Sequence, residues 1–321
     1  MMYGPAPTHK GAHLMKCYAN PLMDTAITST MWERSEAAAA AFMSSHTSLL
    51  SHLLHNATAA NVDLSSHIPR RGYQSDGTSL QNRSVESMQP TFAQRWDLFG
   101  FRGECSVKAL PGERGWDGSK FVCGLDTLAA LGHNCAVYSV GSNNDYAFEL
   151  AIAKATHCHI HTFDCNVIPR VPQALRKRVT FHRWCLGEHD YELSNRGIEV
   201  NSHNGGGHGG TAVFRTWETT LRTLGHKRVD LLKMDIEGYE WDVLNAMMQS
   251  SYPLPFQITI ELHLNALWNS ANLWWAGRKM TAGEVALWAR RFYDLGYRVV
   301  HRSDNPRWPQ CAEFALVRFL C

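Results

Sequence analysis

The sequence predicts an α/β fold with a doubly wound, mostly parallel sheet, and two stretches carry that prediction. The first, Ala136-Val-Tyr-Ser-Val-Gly-Ser-Asn-Asn-Asp145, is a short apolar run that ends in Gly141 and a cluster of helix-capping residues. Tyr146 to Thr156 then carries apolar residues at helical spacing, so the unit reads as strand, glycine turn and helix. Such a turn presents free backbone N–H groups to a ligand. Roughly twenty residues on, as a nucleotide-binding βαβ unit requires, His159-Ile-His-Thr-Phe-Asp164 is a second strand ending in an acid suited to a ribose hydroxyl pair. The second stretch, Val229-Asp-Leu-Leu-Lys-Met-Asp-Ile-Glu-Gly238, is a later strand that ends in Asp235 and Glu237. Open α/β sheets bind their ligands at such carboxyl ends.

From the start, residues 1–90 are rich in Ser, Ala, His and Asn and predict a low-complexity extension with one helix, from about Thr30 to His55. Its Leu49, Leu50, Leu53 and Leu54 form an apolar face. Ala37 to Val62 lacks charged residues, yet its histidines, serines and threonines make it too polar for a membrane span. Ser65 to Pro90 reads as a linker. The folded domain, 91–321, opens with a lead-in, 91–131, whose Trp96, Phe99, Phe101, Trp116 and Phe121 are expected to pack on the main body. The turn Trp116-Asp-Gly-Ser-Lys120 is either part of that packing or a lid near the site.

After the second strand, Val167 to Arg176 reads as a short helical stretch and Val179 to Leu186 as a third strand. The exit Trp184-Cys185-Leu186 would lie beside the base of a bound cofactor, or simply pack. Asn201 to Gly210 is a glycine-rich loop whose His203 and His208 read as solvated rather than metal-binding. A helix from Thr216 to Leu224 leads into the fourth strand, Val229 to Met234, and Gly238 opens a helix from Tyr239 to Gln249. Phe256 to His263 is the fifth strand, with Glu261 and His263 at its end; Trp268, Trp274 and Trp275 follow in a cover segment. Thr281 caps a helix to Asp294, and Tyr297 to His301 with Glu313 to Phe319 close the chain as an antiparallel pair.

With 321 residues, 45% of them hydrophobic, the chain can bury a sizeable core. A net charge of +2 and 19% charged residues give no electrostatic case for a nucleic-acid or acidic-membrane partner, so a small-molecule partner is expected. The nine cysteines show no CxxC pair and no zinc spacing. Cys135 and Cys158 on strands are expected as free buried thiols, while Cys105 and Cys123 could pair in an oxidising compartment. No charged-then-apolar leader opens the sequence, so a cytoplasmic location is the default; the sequons at Asn56 and Asn82 matter only in a secretory lumen.

Taken together, YSVGSNND, HTFD and DLLKMDIEGYE resemble the S-adenosylmethionine-dependent methyltransferases of the FkbM type, and more closely the methyltransferase-like proteins gathered as methyltransferase family 22. The lead-in DGSKFVCG is similar to that family as well, and the resemblance runs from about Thr91 to Cys321. It implies a Rossmann-like methyltransferase sheet of seven strands with the last one reversed, and S-adenosylmethionine as cofactor. Gly141 and Asn143 would lie under its methionine part and Asp164 at its ribose. The residues assigned to the cofactor are Val140, Gly141, Ser142, Asn143, Asp164, Cys165, Trp184, Cys185 and Asp235. One departure is Ser139, where the FkbM pattern carries an acid. The resemblance further implies O-methylation of a hydroxyl on a small molecule or sugar.

Methyl transfer from a sulfonium requires a positioned nucleophile and removal of its proton. The base candidates are Asp235 with His263 first, and then Glu237. A divalent ion between Asp235, Glu261 and His263 would acidify the acceptor, but acids at strand ends need no metal and none is assigned. Two other classes compete. An NAD-dependent oxidoreductase would share the βαβ unit but lacks the later glycines, and a catalytically inactive cofactor-binding module would fit Ser139.

Overall fold

The computed structural model describes residues 29–45, 95–105, 108–112, 119–194, 211–264, 282–305, 308 and 310–319. Its first half runs α1 (Ser29–Ser45), β1 (Lys108–Ala109), β2 (Val122–Cys123), α2 (Leu125–Ala130), β3 (Ala136–Val140), α3 (Ala147–Ala155), β4 (His159–Phe163), β5 (Val179–His182) and β6 (Cys185–Leu186). Then come β7 (Tyr191–Ser194), β8 (Thr211–Arg215), α4 (Trp217–Leu224), β9 (Leu231–Met234), α5 (Glu240–Gln249), β10 (Gln257–His263), α6 (Ala282–Asp294), β11 (Tyr297–Asp304) and β12 (Cys311–Arg318).

Seven strands form one sheet in the order β11-β12-β10-β9-β3-β4-β5. β3 is parallel to β4 and β9, and β9 is parallel to β10. β9 and β10 are buried along their whole length, as strands covered on both faces must be. β12 runs against β10 on one side and β11 on the other. The sheet is therefore doubly wound and mostly parallel, with the last strand reversed and slotted inside it. Because the chain leaves β3 toward β4 and later returns to its other side at β9, the carboxyl ends of β3 and β9 border a switch-point crevice.

Apolar layers cover both faces. One holds Val140, Phe163, Trp217, Leu244, Ile260, Phe292 and Phe314; the other holds Val137, Phe148, Ile152, Ile160 and Leu231. The lead-in aromatics Trp96, Phe99 and Phe101 pack as expected: all three are fully buried, and the Phe99 ring packs at a tilt against both Phe292 and Phe314. α1 sits on the same body through buried Ala39 and a 2.7 Å ion pair between Glu36 and Arg298. Among the described residues no helix is long and apolar enough to cross a membrane.

Several expectations need correction. The third strand breaks after His182, and β6 leaves the main sheet to pair with β8 in a separate three-stranded sheet, order β6-β8-β7. β7 and β8 were not expected at all, since YELS and TAVFR are too short and mixed to show an apolar alternation. Val167 to Arg176 forms only a 3-10 turn at Gln173–Leu175, because Pro169 and Pro172 remove the N–H groups a helix would need. Leu49 to Leu54, Trp116, the loop with His203 and His208, Thr281, and Trp268, Trp274 and Trp275 lie outside the described residues.

The cysteines differ most from expectation. Cys135 and Cys158 are not free but paired, as are Cys105 with Cys123 and Cys165 with Cys185. The reason is register: Ala136 lies opposite His159 on the parallel strands β3 and β4, so the residues just before them face each other with Cα atoms 4.7 Å apart. Cys311 is a free buried thiol. The 135–158 link closes a separation of 23 residues, for which chain entropy predicts a contribution of about 3 kcal/mol. Cys135→Ser with Cys158→Ser should lower unfolding stability by about that amount. Non-reducing peptide mapping should recover all three linked pairs, and three unlinked pairs would contradict the assignment.

Candidate active site

The glycine turn is locked from three sides. Gly141 has φ +80°, and a Cβ there would lie 1.9 Å from the Asp235 carbonyl oxygen, so β3 and β9 can close on each other only with glycine. Lys233 Nζ donates to the Gly141 carbonyl at 2.6 Å. Asn143 and Asn144 take left-handed backbone angles, φ 45° and 61°, which asparagine tolerates better than most residues. Asp164 then ties the turn to β4: its Oδ2 accepts the Asn143 N–H at 2.8 Å and the Ser142 hydroxyl at 3.4 Å, while Oδ1 accepts the Asn166 N–H at 2.9 Å. Val140, Gly141, Ser142, Asn143 and Asp164 are thus brought together as expected.

Ser139 is buried in β3, and no acid stands there. A buried carboxylate does lie on α3: Glu149 accepts the Thr162 hydroxyl at 3.2 Å, and burial raises its pKa despite Lys233 nearby. Sequence reading missed it because a lone acid in a helical run looks like a solvated face.

At the far end of β4 and β5 the Cys165–Cys185 disulfide joins the two strand exits, with Cα atoms 4.9 Å apart. Trp184 stands beside it, its ring 4.5 Å from that of His182 and 5.8 Å from Phe163. Its indole N–H is buried with no partner among the described residues.

The second cluster surrounds the end of β9. Glu261 and Glu313 lie directly opposite each other on antiparallel β10 and β12, an arrangement that like charges make unfavourable. The Lys120 ammonium enters from the lead-in, its side chain fully buried. It hydrogen-bonds Glu313 and lies 3.0 Å from Asp235 Oδ2 and 3.8 Å from Glu261. Burial works against the Lys120 charge, but Asp235, Glu313 and Glu261 outweigh it and raise its pKa. Burial would likewise raise Asp235, but Lys120, Lys233 and His263 outweigh it and hold that carboxyl far below its ordinary range. Glu261 is raised by burial and then by Asp235 and Glu313, which favours its protonated form.

His263 ends β10, almost completely buried, between two carboxylates: Nδ1 is 3.1 Å from Glu240 Oε1 and Nε2 is 3.7 Å from Glu237 Oε2. Burial disfavours its charge, yet Glu240, Cys311 and Asp235 raise its pKa well above the ordinary value, which favours the imidazolium form. Glu240 also accepts the Ile236 N–H at 2.9 Å and the Gly238 N–H at 3.0 Å. It thereby closes the turn between β9 and α5. Glu237 sits in that turn at φ 59° with its side chain 44% exposed, the accessible carboxylate of the group.

Asp235, Glu237 and His263 are therefore gathered as expected, and Asp235 also touches the glycine turn through its carbonyl. Among the described residues, the ligand-type atoms that converge within 4.8 Å form three groups: Asp235, Glu261 and Glu313; Asp235, Glu240 and His263; and Glu261, His263 and Cys311. Lys120, Glu240 and Glu313 were not singled out. Lys120 lies in DGSKFVCG and Glu240 in KMDIEGYE, so the motifs contained them without revealing their roles. Nothing in the sequence marks Glu313 as facing Glu261.

A family model described as "Methyltransferase domain" matches residues 82–318. The protein called "Probable methyltransferase-like protein 24" of Rattus norvegicus is 27% identical over 203 residues, covering 59% of this chain and 50% of the rat protein. Its Homo sapiens counterpart is also 27% identical over 203 residues, covering 59% of this chain and 49% of that protein. The chain thus spans about half the length of the curated relatives it matches. Among solved structures, methyltransferase FkbM from Methylobacillus flagellatus is a weak likeness: 13% identity, TM-score 0.33, covering 56% of this chain and 43% of that one.

The His263–Glu240 pair yields a titration test. Because the folded pKa of His263 is raised, the stability it adds is present at low pH and lost as pH rises through that folded value. Glu240→Gln removes the facing charge, so the His263 pKa should fall toward 6.5 and the loss should set in at lower pH. NMR titration of the ring reads this directly, and an unshifted His263 in the variant would contradict the pairing.

Proposed function

This chain belongs to the methyltransferase-domain family, and on that footing we propose that it moves the methyl group of S-adenosylmethionine to a hydroxyl on a small molecule or sugar. The observation that carries the reading is the turn Gly141 to Asn143 tied to Asp164 at the switch point of the sheet. The residues there suit the cofactor. Asp164 Oδ2 takes the Asn143 N–H and the Ser142 hydroxyl, while Oδ1 takes only the Asn166 N–H and retains a lone pair for a ribose hydroxyl. The spare N–H of Trp184, beside the Cys165–Cys185 link, offers a donor at the base end. S-adenosylmethionine, when bound, supplies the electrophilic methyl.

What the protein must add is orientation and a proton acceptor. Sequence reading puts the base at Asp235 with His263. Its pairing with Lys120 leaves Asp235 strongly ionised, which makes it a weak proton acceptor. The reading that fits better gives the proton to Glu237, the most exposed carboxylate of the cluster, with Asp235 orienting the acceptor. Three disulfides also fit maturation in an oxidising compartment, where the acceptor would then be met.

Calorimetry tests the reading. S-adenosylmethionine or its demethylated product should bind and NAD should not. Asp164→Ala should weaken binding by about 1–3 kcal/mol through lost hydrogen bonds to a charged group. Glu237→Gln should lower turnover by about a hundredfold while leaving cofactor affinity within a few-fold. Binding of NAD alone would sink the assignment, and a Glu237→Gln enzyme of normal turnover would remove Glu237 from the base role.

A further inference from the structure

We infer that Lys120 is the built-in cation of the acceptor side of this site, occupying the centre of the Asp235–Glu261–Glu313 carboxylate group that a divalent ion would otherwise fill. The inference rests on the methyltransferase reading only for where the acceptor lies; the geometry stands without it. The oxygens of Asp235, Glu261 and Glu313 converge within 4.8 Å; the raised pKa values of Glu261 and Glu313 relieve part of their repulsion, and the ionised Asp235 still calls for a positive charge beside it. The choice is a metal ion or an ammonium, and Lys120 Nζ already sits there, bonded to Glu313 and 3.0 Å from Asp235. Hard divalent cations bind carboxylate oxygens at about 2.0–2.6 Å, so an ion at that point would overlap the nitrogen.

The chain invests structure in holding the ammonium there. The Lys120 N–H donates to the Pro111 carbonyl at 3.1 Å. Three residues on, Cys123 is fixed twice, by its disulfide to Cys105 and by the Gln257 side chain, which takes its N–H at 2.6 Å and donates to its carbonyl at 3.1 Å. Gln257 begins β10, the strand that carries Glu261. Lead-in and carboxylate group are thereby one rigid unit, and Lys120 acts as a positioning residue that holds Asp235 ionised and aimed, without a metal.

Manganese(II) is the probe, read by electron paramagnetic resonance and by thermal melting. The wild-type protein should bind no manganese that Glu313→Gln abolishes, and a chelator should leave its melting temperature unchanged. Lys120→Ala should melt roughly 10 °C lower, and manganese should restore much of that loss by entering the emptied position. Adding Asp235→Asn to Lys120→Ala should abolish the rescue, an outcome that loss of packing alone would not give. If Lys120→Ala does not fold, Lys120→Met with Glu313→Gln, which removes both charges, should fold and bind no manganese. Wild-type manganese binding lost in Glu313→Gln, or a Lys120→Ala protein as stable as wild type, would overturn the inference. S-adenosylmethionine calorimetry on the same samples keeps failure of the methyltransferase reading separate, because the manganese and melting results do not depend on cofactor binding.

Discussion

Glu261 and Glu313 face each other across two buried antiparallel strands, and the ammonium of Lys120 makes that pairing tolerable. Much of the architecture follows from this contact. It needs β12 reversed and slotted beside β10, since only then does Glu313 meet Glu261. It also needs the lead-in held against the sheet, which the Cys105–Cys123 link, the Gln257 clamp and the packing of Phe121 around Cys123 and Val317 accomplish. A buried charge cluster contributes little net stability in general. Its value here is positional, because it fixes Asp235, whose backbone carbonyl also meets the glycine turn.

That second contact joins the two halves of the site. The Asp235 carbonyl presses on Gly141 so closely that no side chain fits between them, and Lys233 reaches across from β9 to the Gly141 carbonyl. A shift of the carboxylate cluster would thus be felt in the turn that Asp164 holds. The glycine turn and the carboxylate cluster share one stretch of backbone, which suits the proposed methyl transfer, a reaction whose rate depends on the alignment of two reactants.

The sheet was largely legible in the sequence, and the site only partly. β3, β9 and β10 are largely buried strands bounded by glycine, acids or caps, a signal that burial on both faces makes strong, and β4 was marked by the acid that ends it. The split of β5 from β6 was not legible, because VTFHRWCL is continuous in its apolar character and only pairing with β8 shows where the strand leaves. Asp164, Asp235, Glu237 and His263 could be found because their strands end in them. Glu149 could not because a lone acid in a helical run reads as a solvated face, and Lys120 and Glu313 could not since each owes its role to a partner far away in the chain, Asp235 and Glu261. The Cys135–Cys158 and Cys165–Cys185 disulfides were hidden for the same reason. Only the register of β3 and β4 reveals that Cys135 and Cys158 face each other.

The most direct test of the account is a crystal structure of this protein with S-adenosylhomocysteine. The account predicts the ribose hydroxyls at the Asp164 carboxylate, the base between Trp184 and the Cys165–Cys185 link, and the sulfur directed toward the cleft bounded by Asp235 and Glu237. It also predicts the Lys120 ammonium still seated between Asp235 and Glu313, with no metal density there. A nucleoside bound elsewhere, or Lys120 swung out with a metal ion in its stead, would contradict it.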